Sequence, residues 1–288
     1  MSHDFLWIDA YTRTPFAGNP CAVVFDADAV PVDTRLAFTR ETRLSECAFL
    51  QKSATADFGV RYYVASGEIK MAGHPTVATV TALLERGLVA APSQFRLEVG
   101  AGVIDIELGS DGLVTFTSPK PTFRSQRNPA EIAALVGLTA DDIVGEPQTV
   151  DVGGPGFCIT LVRDHAALRR AVLDIEGLYA ARDSGADFSE AFLACLTGAT
   201  QAGDTFSRLL LAPPEPAEDP FTGSATACLG AYLWRHHLIE RPLFTAEQGH
   251  WMGRPGSADV EIVGTPEAIT GVRVGGHGAV VMEGRVRL

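Results

Sequence analysis

The sequence predicts an α+β protein built from two related domains, each a curled β-sheet wrapped around one apolar helix. Three observations predict it: many short β-type runs, two helical stretches without a charged face, and landmarks that recur about 150 residues apart.

The β-type runs are CAVVF (21–25), CAFL (47–50), GVRYYV (59–64), VIDIEL (103–108), LVTF (113–116), CITLV (158–162), SRLLL (207–211) and DVEIV (259–263). Gly and Pro punctuate them, as expected of strands joined by turns. Two ordinary helices interrupt this pattern. One covers 33–42, with Asp33 placed as its N-cap; the other covers 128–136, where Asn128, Pro129 and Glu131 form a capping-box-like start and Gly137 follows the end.

The remaining two helices differ from these. The stretch 74–86 has Pro75 at its first helical position and stops at Gly87, and it carries no charge from Pro75 through Leu84. The stretch 224–236 is uncharged from Ser224 through Trp234. A helix with no polar face is buried all round, and at this length it cannot span a bilayer. In a strand-rich chain it becomes the core that a sheet wraps.

The two apolar helices have matching surroundings. GVRYYV precedes one and FSRLLL the other. Gly100 follows Gly73 by 27 residues, and Gly249 follows Gly223 by 26. Further upstream, PFAGNPCAVVF (15–25) and GGPGFCITLV (153–162) each put a Gly-rich turn before a β-branched strand. So long a period is not that of a solenoid; it implies two similar domains. The first is expected over 1–125, completed by a C-terminal strand at 280–288, and the second over 126–279.

The 288 residues are 46 % hydrophobic and 20 % charged, enough to bury a sizeable core. A net charge of −12 with no basic run argues against nucleic acid or a membrane surface as partner. The N-terminus lacks a signal-peptide pattern. The five cysteines are scattered and never spaced C-x-x-C, which fits a reduced, cytoplasmic location and argues against structural zinc. The seven histidines form no H-x-x-x-H pair, so no metal is expected.

The two helix starts are the candidate functional sites. A helix N-terminus offers unpaired amides and partial positive charge, and Gly73 and Gly223 let a ligand approach the backbone. Two such ends facing a common cleft would hold the carboxylate of a small acid; singly, each is only an ordinary helix start. His74, Asp219 and Ser224 stand at or near these junctions. Each also has a plain structural role open to it: a capping histidine, an Asp-Pro turn, an N-cap serine. Glu46, in RLSECAFLQ, shares a strand face with Ala48 and Leu50, while Cys47 and Phe49 face the other way. An apolar setting would tune its carboxyl for proton transfer. Equally, Glu46 would end the preceding helix or sit at a sheet edge.

DAYTRTPFAGNPCAVVF, ETRLSECAFL, GEIKMAGHPTVAT, EDPFTGSATACLGAYL and EQGHWMGRPGS together resemble, in order, the signature blocks of the phenazine biosynthesis PhzF-like family. The resemblance implies the diaminopimelate epimerase-like fold, a homodimer, and an active site between the two domains that uses neither metal nor organic cofactor. It implies an isomerase like the one acting on trans-2,3-dihydro-3-hydroxyanthranilate, in which a glutamate removes a proton from one ring carbon and a proton is returned at another. On the matching blocks, Glu46 is that glutamate. His74, Asp219 and Ser224 contact the substrate, and backbone near Gly73 and Gly223 holds its carboxylate.

Epimerases and racemases of this fold carry a thiol just before each central helix. Ala72 and Thr222 stand there in this chain, so two-thiol epimerisation is disfavoured. The usual Thr-Pro after the Arg-containing strand is replaced by Val64-Ala65. A non-catalytic small-acid binding or regulatory protein on the same fold is the main alternative. The runs GGPG (153–156) and GGHG (275–278) do not complete a dinucleotide-binding fingerprint.

Overall fold

The computed structural model describes residues 1–288, which divide into two compact units. The first holds 1–117, 253–256 and 275–288, and the second 118–252 and 257–274.

In the first unit the chain runs through β1 (Ser2–Ala10), β2 (Asn19–Val24), α1 (Val32–Thr42), β3 (Glu46–Gln51), β4 (Phe58–Val64), β5 (Gly67–Ile69), α2 (Gly73–Glu85), β6 (Ser93–Val99), β7 (Gly102–Leu108) and β8 (Val114–Thr117). Strand β1 pairs antiparallel with β2, and β2 parallel with β3 across α1. Strand β4 pairs antiparallel with β3 and β5, and parallel with β6 across α2. Parallel neighbours require such crossovers.

The second unit runs through β9 (Thr122–Gln126), α3 (Pro129–Leu135), β10 (Ile143–Asp151), β11 (Phe157–Val162), α4 (His165–Arg170), α5 (Ile175–Asp183), β12 (Glu190–Cys195), β13 (Thr205–Leu210), β14 (Glu218–Asp219), α6 (Gly223–Arg235), β15 (Leu243–Gln248), β16 (Gly256–Thr265) and β17 (Ala268–Gly276). The pairings repeat those of the first unit in the same order. Strand β10 is antiparallel to β11, β11 parallel to β12, β13 antiparallel to β12 and β14, and β13 parallel to β15. Strand β18 (Gly278–Arg287) then returns to pair antiparallel with β1 of the first unit.

Each of the eight β-type runs is a strand, and both uncharged stretches are buried helices. Helix α2 buries His74 through Val80 without interruption and packs on β1, β2, β3 and β18. Helix α6 buries Ala225 through Leu233 and packs on β10 and β11. Its Gly230 is required by close approach to β15 and β16. A β-carbon there would lie 2.9 Å from Val260 Cγ1 and 3.4 Å from Phe244 Cε1.

Three expectations at helix starts change. Helix α2 begins at Gly73 after the cap residue Ala72, so Pro75 is its third residue and not its first. Asp33 does not cap α1. The cap position is Pro31, whose φ of −61° suits helix entry, and Asp33 lies inside the first turn, where its charge opposes the helix dipole's positive end. The cap position of α6 is Thr222, so Ser224 is a first-turn residue. Asn128 does cap α3, accepting from the Ala130 amide. No helix is long and apolar enough to cross a membrane.

Candidate active site

Glu46 opens β3 and does not end the preceding helix, which stops at Thr42. The parallel register sets it beside Cys21 of β2. Cys47 and Phe49 turn into a cluster with Ala22, Val24, Val30 and Tyr63, which leaves Glu46 on the opposite face. There it meets the start of α2: its Oε2 lies 3.9 Å from His74 Nδ1, with the Glu46 side chain 20 % exposed and that of His74 5 %. The two residues, 28 apart in sequence, are brought together by β3 and α2 of one unit.

Burial pushes the His74 imidazole down to about 3, so it is neutral at physiological pH. Its approach to Glu46 is therefore proximity without an ion pair, and 3.9 Å is too long for a hydrogen bond. The hydrogen bond that His74 does make comes from Asn19, whose Nδ2 donates to Nδ1 at 3.2 Å. His74 Nε2 is buried and has no partner within the protein.

The acids around Glu46 are held protonated. Burial first, and the Glu46 charge in addition, raise the hydroxyls of Tyr11 and Tyr62 and the thiol of Cys21. Cys47 is pushed up to about 11, mainly by burial. No thiolate or phenolate stands beside the Glu46 carboxyl here. The start of α2 is itself anchored: Thr76 Oγ1 donates to the Ala72 carbonyl at 2.6 Å and meets Tyr62 Oη at 2.8 Å. Ala72 holds the cap position and supplies no side-chain acceptor, so the first-turn amides at Gly73 and His74 are not capped by it.

The second unit holds Asp219, Gly223 and Ser224. Buried Asp219, in the short β14, accepts a 2.5 Å hydrogen bond from Thr222 Oγ1. Gln248, at the end of β15 and 1 % exposed, locks this turn. Its Oε1 accepts from the Thr222 amide at 3.1 Å, and its Nε2 donates to the Asp219 carbonyl at 2.8 Å. Gly223 is the first residue of α6 and is buried; Ser224 follows half-buried, and the cap residue makes no side-chain cap.

Sequence reasoning did not single out Asn19, Tyr11 or Gln248. Asn19 was visible only as a polar residue ending a Gly-rich turn, and Gln248 only as a neighbour of Gly249. A buried amide leaves no periodicity in sequence.

A family model described as phenazine biosynthesis-like protein matches residues 8–284. The trans-2,3-dihydro-3-hydroxyanthranilate isomerase of Pseudomonas aeruginosa is 31 % identical over 292 residues, covering 99 % of this chain and 100 % of the relative. The crystal structure of a PhzF-family phenazine biosynthesis protein from Bacillus anthracis superposes with a TM-score of 0.89 at 23 % identity, covering 100 % of both chains. A hydroxyproline epimerase from Agrobacterium vitis, solved with trans-4-hydroxy-L-proline bound, superposes with a TM-score of 0.64 at 15 % identity, covering 99 % of this chain and 92 % of the other. The two structural likenesses bear on the fold, which is of the epimerase-like α+β class expected from the sequence.

Proposed function

The chain belongs to the phenazine biosynthesis-like protein family and is an isomerase, and from that premise we propose that it moves a proton within a small conjugated carboxylic acid without a cofactor. Glu46 is the base and then the acid. As carboxylate it takes a proton from one carbon, and the released electron pair spreads into the conjugated system. The protonated carboxyl then returns a proton at another carbon, so bonds shift with no net proton change. The observation that carries this reading is the Glu46 carboxylate at the start of α2, partly open to solvent and ringed by acids that stay protonated.

The other residues bind the substrate. The first-turn amides at Gly73 and Gly223 receive acid oxygens, as helix N-termini favour anions. His74 contacts a polar substituent as a neutral imidazole, and Asp219 and Ser224 contact further polar groups. Asp219 is pre-oriented for this by Thr222 and Gln248. Thiol chemistry is disfavoured, since Ala72 and Thr222 occupy the residues just before α2 and α6. The proposed assembly is a homodimer, which sedimentation velocity would test: a single species at monomer mass would refute it.

The substrate named for the Pseudomonas relatives, trans-2,3-dihydro-3-hydroxyanthranilate, is the first compound to try. Incubation with wild-type protein, followed by chromatography, is expected to yield the isomerised product. Absence of any product at high enzyme concentration would remove this substrate from the account.

A further inference from the structure

Asn19, which meets Nδ1 of His74, has no role in the proton transfer described above, yet it and the turn before it are held by several hydrogen bonds. Asn19 is completely buried at the first position of β2. Gly18, before it, has φ +57°, and a β-carbon there would lie 2.1 Å from the Ala10 carbonyl oxygen. Its amide donates to Pro255 O at 3.0 Å, and its carbonyl accepts from Arg254 Nε at 2.8 Å. Arg254 Nη2 also donates to Ala17 O at 2.9 Å and pairs with Asp9 Oδ1 at 2.6 Å. The other Asp9 oxygen accepts from the Phe16 amide at 2.7 Å. The turn over 16–18 is thus gripped by one carboxylate and one guanidinium, and the residue it delivers is Asn19.

We infer that Asn19, fixed by the Asp9–Arg254 clamp, is a positioning residue that sets His74 in the tautomer with its proton on Nε2 and so presents an N–H donor to the ligand. A carboxamide nitrogen can only donate, so Nδ1 must accept from Asn19 at 3.2 Å. Glu46 Oε2, at 3.9 Å, is too far to claim a proton on that same nitrogen. The one ring proton then sits on Nε2, the buried nitrogen with no partner in the protein. A buried donor left alone is unfavourable, and a ligand oxygen satisfies it. The site at Nε2 therefore takes a carboxylate, hydroxyl or carbonyl oxygen and rejects an ammonium group. Contact with the substrate rests on the function proposed above; the tautomer does not.

Histidine-selective ¹⁵N labelling and long-range ¹H–¹⁵N spectra of the full-length protein at pH 7 test this directly. The wild type is expected to show His74 with protonated Nε2 and bare Nδ1. Asn19→Asp places a pure acceptor against Nδ1, and the spectrum is expected to show the proton moved there. Isomerase kcat should then fall about 10²-fold, the effect of losing one aligned donor, with KM changing less. Arg254→Lys keeps the charge but not the three-point grip, and should give a mixture of tautomers with an intermediate kcat. A wild type carrying its proton on Nδ1 overturns the inference, whatever the variants do. Unchanged tautomer and unchanged kcat in Arg254→Lys remove the clamp from it. An Nε2–H wild type that isomerises nothing leaves the tautomer standing and sinks the proposed function.

Discussion

Helices α2 and α6 begin in the same topological place in their own units, each after a strand pair and before a parallel return. Their starts are chemically different. At α2 the sequence Ala72-Gly73-His74 leaves a neutral imidazole beside a carboxylate that comes from another strand. At α6 the sequence Thr222-Gly223-Ser224 has its carboxylate, Asp219, tied by a hydroxyl and a buried amide. Duplicated scaffolds give two helix N-termini of equal electrostatic use, and side chains brought in from neighbouring strands divide the labour. In the proposed mechanism, one start serves a group that must gain and lose a proton. The other is arranged to hold its carboxylate still.

That division can be broken by mutation. Glu46→Gln keeps the shape and removes the proposed base, so kcat is expected to fall about 10²- to 10⁴-fold, the usual range for a positioned acid–base group. A thermal melt within a few degrees of wild type would show that the fold survives. His74→Leu removes a donor but no base, and a loss of about 10²- to 10³-fold in kcat is expected from steady-state kinetics. At the other start, Thr222→Val deletes the hydroxyl that donates to buried Asp219. It should cost about 1–3 kcal/mol of stability by urea denaturation, with a smaller loss of activity than at Glu46. A variant of Thr222 as damaging to kcat as Glu46→Gln would contradict the assignment of labour.

The α2 start should also show its own response to pH. Unfolded, the His74 ring takes up a proton below its ordinary 6.5, whereas folded it resists until about 3. Between those values the unfolded chain binds more protons, so stability falls as pH drops through the window. His74→Gln should flatten that part of the stability profile, read as urea midpoints from pH 7 to 4. The smallest effect is expected from thiol reagents. Cys21 and Cys47 are buried and protonated, so iodoacetamide at neutral pH should leave activity nearly untouched, unlike an enzyme with thiols at its helix starts.

The scaffold was largely legible in the sequence because its signals are local. Runs such as CAVVF and CITLV announce strands, and the charge-free stretches after His74 and Ser224 announce buried helices. The landmarks at Gly73, Gly100, Gly223 and Gly249 announced a repeat that the strand pairings reproduce. What failed were exact helix starts: Asp33 looked like a cap, but Pro31 already supplies the entry geometry, and the helices at Pro75 and Ser224 begin earlier, at Gly73 and Gly223. The site was legible only in part. Glu46 and His74 could be named from their motifs, but their meeting depends on how the start of α2 packs against β3, which no local pattern encodes. Asn19, Arg254 and Gln248 act through hydrogen bonds between residues as far apart as 18 and 254, and nothing in a single sequence pairs them.

The central claim is that Glu46 makes and breaks the carbon–hydrogen bonds, and isotope exchange tests it most directly. Wild type and Glu46→Gln would be incubated with trans-2,3-dihydro-3-hydroxyanthranilate in deuterated water and followed by proton NMR. The Glu46 side chain is partly exposed, so its carboxyl exchanges the abstracted proton with solvent before returning it; the account predicts deuterium at the newly protonated carbon with the wild type and none above background with the variant. Deuterium uptake at the wild-type rate by Glu46→Gln would contradict it.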